Sequence, residues 1–230
     1  EVQDEKTYSA MADGIRDAFF HAFYQADSCT FGDFGSNVFA LTMGVPEEVK
    51  PGVVETLRKE IVEKNQNHLN TGIFGTRYLF KVLAENGLND VAVDVMSQRD
   101  MPGFGYWLSQ GATVTWEQWD GKNSRNHPMF GGGLVWFYED LAGVKIDENE
   151  PAYKHVIVRP ILSKKFSRVH YSNLTPYGRV ASTVSFDGIS GKLEVTVPVG
   201  CRATVYVPVP SDGSYRVEEV DQGTYLFTIQ

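Results

Sequence analysis

Cysteine is nearly missing from this 230-residue chain: Cys29 and Cys201 are the only two. They fall on either side of the domain boundary read below, so neither a disulfide framework nor a thiolate metal site is indicated. Basic residues are also short, with 21 Lys and Arg against 29 Asp and Glu and a net charge of −8. Without a basic stripe the chain is a poor partner for nucleic acid, whose affinity for proteins comes mainly from phosphate neutralisation. No apolar run approaches the roughly 20 residues that cross a bilayer, so no membrane span is expected, and the polar stretch from Glu1 does not read as a signal peptide. A chain that opens on Glu rather than Met is expected to be an excised or processed piece. The five histidines, His21, His68, His127, His155 and His170, show no H-E-x-x-H or comparable spacing, so no metal is expected. Gly103-Phe104-Gly105 and Gly131-Gly132-Gly133 match no phosphate-binding fingerprint, and no cofactor is expected. The compartment stays open, cytoplasmic or extracytoplasmic.

What is present divides in two. From Tyr8 to Tyr24, apolar residues at Met11, Ile15, Ala18, Phe19, Ala22 and Phe23 keep the three-and-four spacing of a helix with one buried face. Further helices are expected from Ser36 to Met43, from Pro51 to Lys64, from Thr76 to Asn86 and from Asn89, as an Asn cap, to Gln98. Polar loops and stop signals at Gly44, Pro46 and Gly87 separate them. Between Arg99 and Gly132 the periodicity disappears, over a length that marks a functional loop more often than a connector. Helix is expected again from Gly133 to Leu141.

After Pro151 the period drops from 3.6 to 2. Val156 and Val158, Val169 and Tyr171, Val180 to Phe186, Leu193 to Val197, Thr204 to Val207 and Tyr225 to Ile229 read as strands broken by Gly-containing turns, the pattern of an antiparallel β-sandwich. Charge changes with it: residues 1–151 hold 12 Lys and Arg against 23 Asp and Glu, net −11, while residues 152–230 hold 9 against 6, net +3. The expected domains are therefore 1–150, helical, and 151–230, a sandwich.

Three of the four tryptophans, Trp107, Trp116 and Trp119, crowd into the long loop. Flat aromatic faces suit the apolar faces of sugar rings, and a carboxylate set between them is partly desolvated, which is how a glycosidase tunes an acid or base. Glu117 is the catalytic candidate on that ground. Asn126 and His127, shortly after it, supply polar groups for sugar hydroxyls. Three plainer readings compete: tryptophans that only anchor a core, a Glu117 salt-bridged to Arg125 or another cation, and a His127 hydrogen-bonded for structure alone.

The block Gly111 to Asp120 (G-A-T-V-T-W-E-Q-W-D) is similar to the signature of the α-L-rhamnosidases, in which Gly-Ala-Thr-Thr precedes Trp-Glu-Arg-Trp. His68 to Thr76, Arg125 to Gly131 (R-N-H-P-M-F-G), Ala142 to Val144, Tyr153 to Pro160 and Pro176 to Ser182 resemble further segments of that family, in its order. The resemblance implies an α+β multidomain fold, the last helices of an (α/α)6 barrel followed by an antiparallel β-sandwich. It implies hydrolysis of terminal α-L-rhamnosides with inversion, with Glu117 as general base and His127 in the pocket for the sugar of a rhamnose-containing glycan; on the residue chemistry, Asn126 and the aromatic wall of Trp107, Trp116 and Trp119 join them. Val114, Gln118 and Pro128-Met129 depart from the family pattern, and Gln118 removes a cation able to lower a nearby carboxylate's pKa. Nothing in the sequence resembles the family's Asp- and Arg-rich segment that carries the general acid. The isolated chain is therefore expected to be inactive, and its uncovered helix faces to favour self-association. The alternative is a sugar-binding or interaction module without catalysis.

Overall fold

The first helix, α1 (Val2–Phe23), is longer than its periodicity predicts, and none of its side chains is buried. The predicted apolar face exists but stays open, with Tyr8, Met11, Ile15 and Phe23 all more than half exposed. Only its C-terminal end is packed, where Phe19, Phe20 and Tyr24 gather around Phe31, Ala40 and Val53. The computed structural model describes residues 2–230, and they divide into two compact units, one ending at Gly133 and the other running from Leu134 to Gln230.

In the first unit, α2 (Phe34–Met43) starts two residues before the predicted Ser36 because Asp33 is its cap, accepting from the Ser36 N–H at 2.9 Å and the Ser36 hydroxyl at 2.8 Å. Asn37, fully buried, satisfies its amide by accepting from the Phe31 N–H at 2.9 Å and donating to Glu60 Oε2 at 3.1 Å. The α3 helix (Lys50–Lys59) has Pro51 in its first turn, where the missing N–H costs nothing, and widens into a π-helical turn over Glu60–Lys64. The α4 helix (Gly72–Glu85) buries Leu79, Phe80, Val82 and Leu83. The α5 helix (Asn89–Met96) follows, and Asn89 is not its cap but its buried first residue, after Leu88. Helices α2, α3, α4 and α5 pack in succession, α2 on α3 and α4, α4 on α5. The supposed loop after Arg99 contains a further short helix, α6 (Phe104–Ser109), and a 3-10 turn over Met129–Leu134.

In the second unit the predicted helix to Leu141 closes as a π-helical turn, Phe137–Leu141. Eight strands follow: β1 (Val144–Ile146), β2 (His155–Val158), β3 (Arg168–Thr175), β4 (Gly178–Phe186), β5 (Gly191–Val197), β6 (Arg202–Val209), β7 (Ser214–Val220) and β8 (Gly223–Ile229). They form two four-stranded sheets, ordered β1-β2-β6-β7 and β3-β4-β5-β8. Alternating residues of both sheets, among them Val156, Val158, Val184, Leu193, Val195, Val205, Val207 and Ile229, fill the core of this sandwich. One pairing breaks the antiparallel expectation: β2 and β6 run parallel, His155 opposite Arg202 and Val158 opposite Val205. Sheet structure starts at Val144, and the charged run Asp147 to Glu150 lies in the connection from β1 to β2. Gly143 just ahead of β1 has φ +76°, and a Cβ there would lie 2.1 Å from the Pro160 nitrogen. The absent side chain lets its carbonyl accept the Arg159 N–H at 2.7 Å.

Candidate active site

The segment from Trp107 to Phe130 carries every site residue named from the sequence. Its shape is set by aromatic packing in the first unit. Trp107 lies on α6 rather than in a loop. Its ring stacks on Trp119 with centroids 4.2 Å apart, and its Nε1–H donates to the Trp119 carbonyl at 3.1 Å. Phe104 and Phe130 meet Trp107 edge-on at 5.7 and 5.6 Å, and Phe130 approaches Trp119 to 4.5 Å. Trp116 completes the cluster, 5.9 Å from Trp107. Each such pair adds about 0.5–1.5 kcal/mol beyond the area it buries. The cluster therefore anchors a segment with little regular structure of its own. Trp107 and Trp116 are 3% and 5% exposed, while Trp119 is half-buried.

On this base the chain folds back on itself. His127 donates its N–H to the Thr115 carbonyl at 2.8 Å, and the Thr115 hydroxyl returns a bond to the His127 carbonyl at 2.6 Å. Nearer the turn, Glu117 donates its N–H to the Ser124 carbonyl at 2.8 Å, and the Ser124 N–H donates to Glu117 Oε2 at 3.2 Å. The reversal runs through Gly121, at φ +67°, whose N–H reaches the Gln118 carbonyl at 3.1 Å. Asp120 beside it is held below the usual carboxylate range, chiefly by the Lys122 ammonium at 2.8 Å.

Glu117, Asn126 and His127 are thus brought onto two paired segments, two rungs apart. The Glu117 side chain is half-buried and, among the described residues, joins no ion pair. Arg125 does not neutralise it: the guanidinium lies 4.6 Å over the Trp116 ring and its Nε–H donates to the Gly121 carbonyl at 3.0 Å. His127 is half-buried and its Nδ1 accepts the Met129 N–H at 3.4 Å, which leaves the neutral ring's proton on Nε2 as a donor. Asn126 is exposed. The segment thus carries a carboxylate with one oxygen bonded to a main-chain N–H and a ring with a free donor, groups able to accept a proton and to hydrogen-bond a hydroxyl. Sequence reasoning missed Thr115 and Ser124, which fix the two candidates, although Asp120-Gly121 carried a hairpin signal.

Among the described residues one group comes near metal-ligand spacing, Asp147, Glu150 and His155 in the second unit, with one candidate ligand atom each within 4.8 Å. These atoms are already engaged. Asp147 Oδ2 is 2.7 Å from His155 Nδ1, His155 Nε2 is 2.9 Å from the Thr204 hydroxyl, and Glu150 is ion-paired with Arg202. Also among the described residues, no helix is long and apolar enough to cross a membrane.

Against known proteins, residues 1–141 match the bacterial alpha-L-rhamnosidase 6 hairpin glycosidase domain, and residues 143–222 the bacterial alpha-L-rhamnosidase C-terminal domain. The chain belongs to the bacterial α-L-rhamnosidase family. Among its family relatives, an alpha-L-rhamnosidase of Formosa agariphila is 34% identical over 207 residues, covering 86% of this chain and 21% of its own length. The solved alpha-L-rhamnosidase of Dictyoglumus thermophilum superposes with a TM-score of 0.87 at 30% identity, over 99% of this chain and 29% of its own. The Streptomyces avermitilis enzyme, complexed with L-rhamnose, gives 0.86 at 27% identity, over 98% and 24%. The chain thus spans about a fifth to a quarter of the curated family members it matches. The helical part of a six-hairpin glycosidase domain and a sandwich following it, as the motifs implied, are what this chain contains.

Proposed function

We propose that this chain is part of a glycoside hydrolase that removes terminal α-L-rhamnose with inversion, Glu117 serving as general base. The observation that carries the reading is the state of the Glu117 carboxylate: half-buried, unpaired by any cation among the described residues, with Oε2 tied to the Ser124 N–H. A carboxylate held by one oxygen presents the other in a fixed direction. In an inverting site that oxygen takes a proton from a water lying between base and anomeric carbon, which needs the two carboxyl groups about 6.5–9.5 Å apart. The water oxygen attacks the anomeric carbon as the glycosidic bond breaks, and the leaving oxygen receives its proton from a neutral acid. No segment resembling the family's acid-bearing motif occurs in the sequence, so this chain alone is inactive.

His127 Nε2–H and the Asn126 amide are suited to donate to sugar hydroxyls. Trp119, half-buried, is the tryptophan with surface to spare for the sugar, while Trp107 and Trp116 support the wall from behind. The substrate is a rhamnose-containing glycan or glycoside. We assign residues up to about the 141–143 junction to the catalytic domain and the remainder to the sandwich, in line with the two family matches. The open apolar face of α1 makes the isolated chain prone to self-association.

The test is hydrolysis of p-nitrophenyl α-L-rhamnopyranoside by this chain and by a longer polypeptide that completes the barrel. Turnover is expected only in the longer one, and proton NMR should show β-L-rhamnose as the first-formed sugar. The α-anomer appearing first would exclude inversion. If neither protein turns over but rhamnose binding to this chain saturates in tryptophan fluorescence, the module reading replaces catalysis.

A further inference from the structure

We propose that Arg125 is a positioning residue for Glu117, acting through Trp116 and the Gly121 turn; the catalytic meaning of this rests on the proposed role of Glu117. Residues 116 and 125 form one clasp across the folded-back segment, and residues 117 and 124 form the next. Arg125 stands beside Ser124, whose N–H holds Glu117 Oε2, and Trp116 stands beside Glu117 itself.

The three partners of this clasp fit closely. The Arg125 guanidinium sits 4.6 Å over the Trp116 ring, and its Nε–H reaches the Gly121 carbonyl at 3.0 Å. A Cβ on Gly121 would lie 2.7 Å from the Trp116 ring and 3.0 Å from Arg125 Nε, so the backbone of the turn is pressed against both. Trp116 is buried, 5% exposed, and belongs to the aromatic cluster rather than to the exposed turn. Arg125 is the exposed piece, and its planar, forked head can lie on a ring and bond a carbonyl in the same pose, which a lysine ammonium cannot. Asp120, Lys122 and Asn123 at the tip are exposed and do not cross the segment: Asp120 and Lys122 pair with each other. The direction of the Ser124 N–H, and so of the Glu117 carboxylate, therefore depends on whether Arg125 pins the returning strand to Trp116.

The experiment uses this 230-residue chain. The Ser124 amide proton, followed by NMR through the acid titration, should show a step that vanishes in Glu117→Gln, because an amide bonded to a carboxylate reports its ionisation. In Arg125→Ala the step should fall to less than half. Arg125→Lys, which keeps a cation for the ring but not the fork, should restore part of it and guards against misfolding of the alanine variant. A full-sized step in Arg125→Ala, or none in the unaltered chain, overturns the inference. In a longer polypeptide that completes the barrel, Arg125→Ala should lower kcat by about ten- to a hundredfold with KM little changed, the range expected of a small misplacement. Loss of the amide step together with near-normal turnover of Glu117→Gln would support the clasp while removing the general-base role.

Discussion

Ser124 and Glu117 are joined twice, the Glu117 N–H to the Ser124 carbonyl at 2.8 Å and the Ser124 N–H to the Glu117 carboxylate at 3.2 Å. A main-chain donor cannot be removed by changing the Ser124 side chain, so the carboxylate keeps its orientation in Ser124→Ala. Glu117→Gln, in contrast, keeps the shape and loses the base. In a polypeptide with the complete barrel, Glu117→Gln should cost about 10²–10⁴-fold in kcat for a p-nitrophenyl rhamnoside, the usual worth of a general base. Activity near that of the unaltered enzyme would remove Glu117 from its assigned role.

Asp33 caps α2 through the Ser36 N–H and hydroxyl, and these bonds hold its carboxyl below the usual carboxylate range. A folded-state pKa below the unfolded one means stability that is present above the unfolded value, about 3.9, and lost as pH falls through the lower folded value. Asp33→Ala should cost about 1 kcal/mol at neutral pH. In urea melts of the two proteins, the difference should shrink once the pH drops below that of a free aspartate, and a gap independent of pH would show that the cap is not electrostatic.

Gly143 occupies a left-handed conformation against the Arg159-Pro160 backbone, with no room for a methyl group. Gly143→Ala should destabilise the sandwich by about 1–3 kcal/mol from backbone strain alone, with more from the clash. Thermal unfolding followed by circular dichroism measures it; an unchanged midpoint would mean that the connection into β1 relaxes freely.

The apolar face of α1 bears on behaviour in solution. Sedimentation velocity of the isolated chain should reveal concentration-dependent association, and Ile15→Lys, at a position 59% exposed, should weaken it without altering the helical circular dichroism. A monomer at all accessible concentrations would show that this face is tolerated bare.

The parts of the fold that were legible in the sequence are those in which one residue period repeats. Val180 to Phe186 and Leu193 to Val197 alternate inward and outward and lie in β4 and β5 as read. The strand β7 was not legible because none of its residues is buried and Arg216, Glu218 and Glu219 interrupt the apolar alternation. Helix α1 was legible as a helix from its periodicity, which states which face is apolar and not what lies against it; that helix faces would stay uncovered came only from the resemblance to a larger barrel. At the candidate site, residue type singled out Glu117, Asn126 and His127. The role of Arg125 was not readable, because a cation near a carboxylate suggests an ion pair, and only its placement over Trp116 shows that the aromatic face and the Gly121 carbonyl take the guanidinium instead.

The parallel pairing of β2 with β6 has a consequence for how the polypeptide matures on the ribosome. The β1–β2 pair emerges early, yet its inner edge is completed only when Arg202–Val209 has emerged in its turn, behind the whole β3-β4-β5 meander. Until then β2 offers unsatisfied N–H and C=O groups along that edge, a template for wrong partners. Distant pairings of this kind also slow folding. Chains released before Val209 thus keep that edge of β2 unpaired.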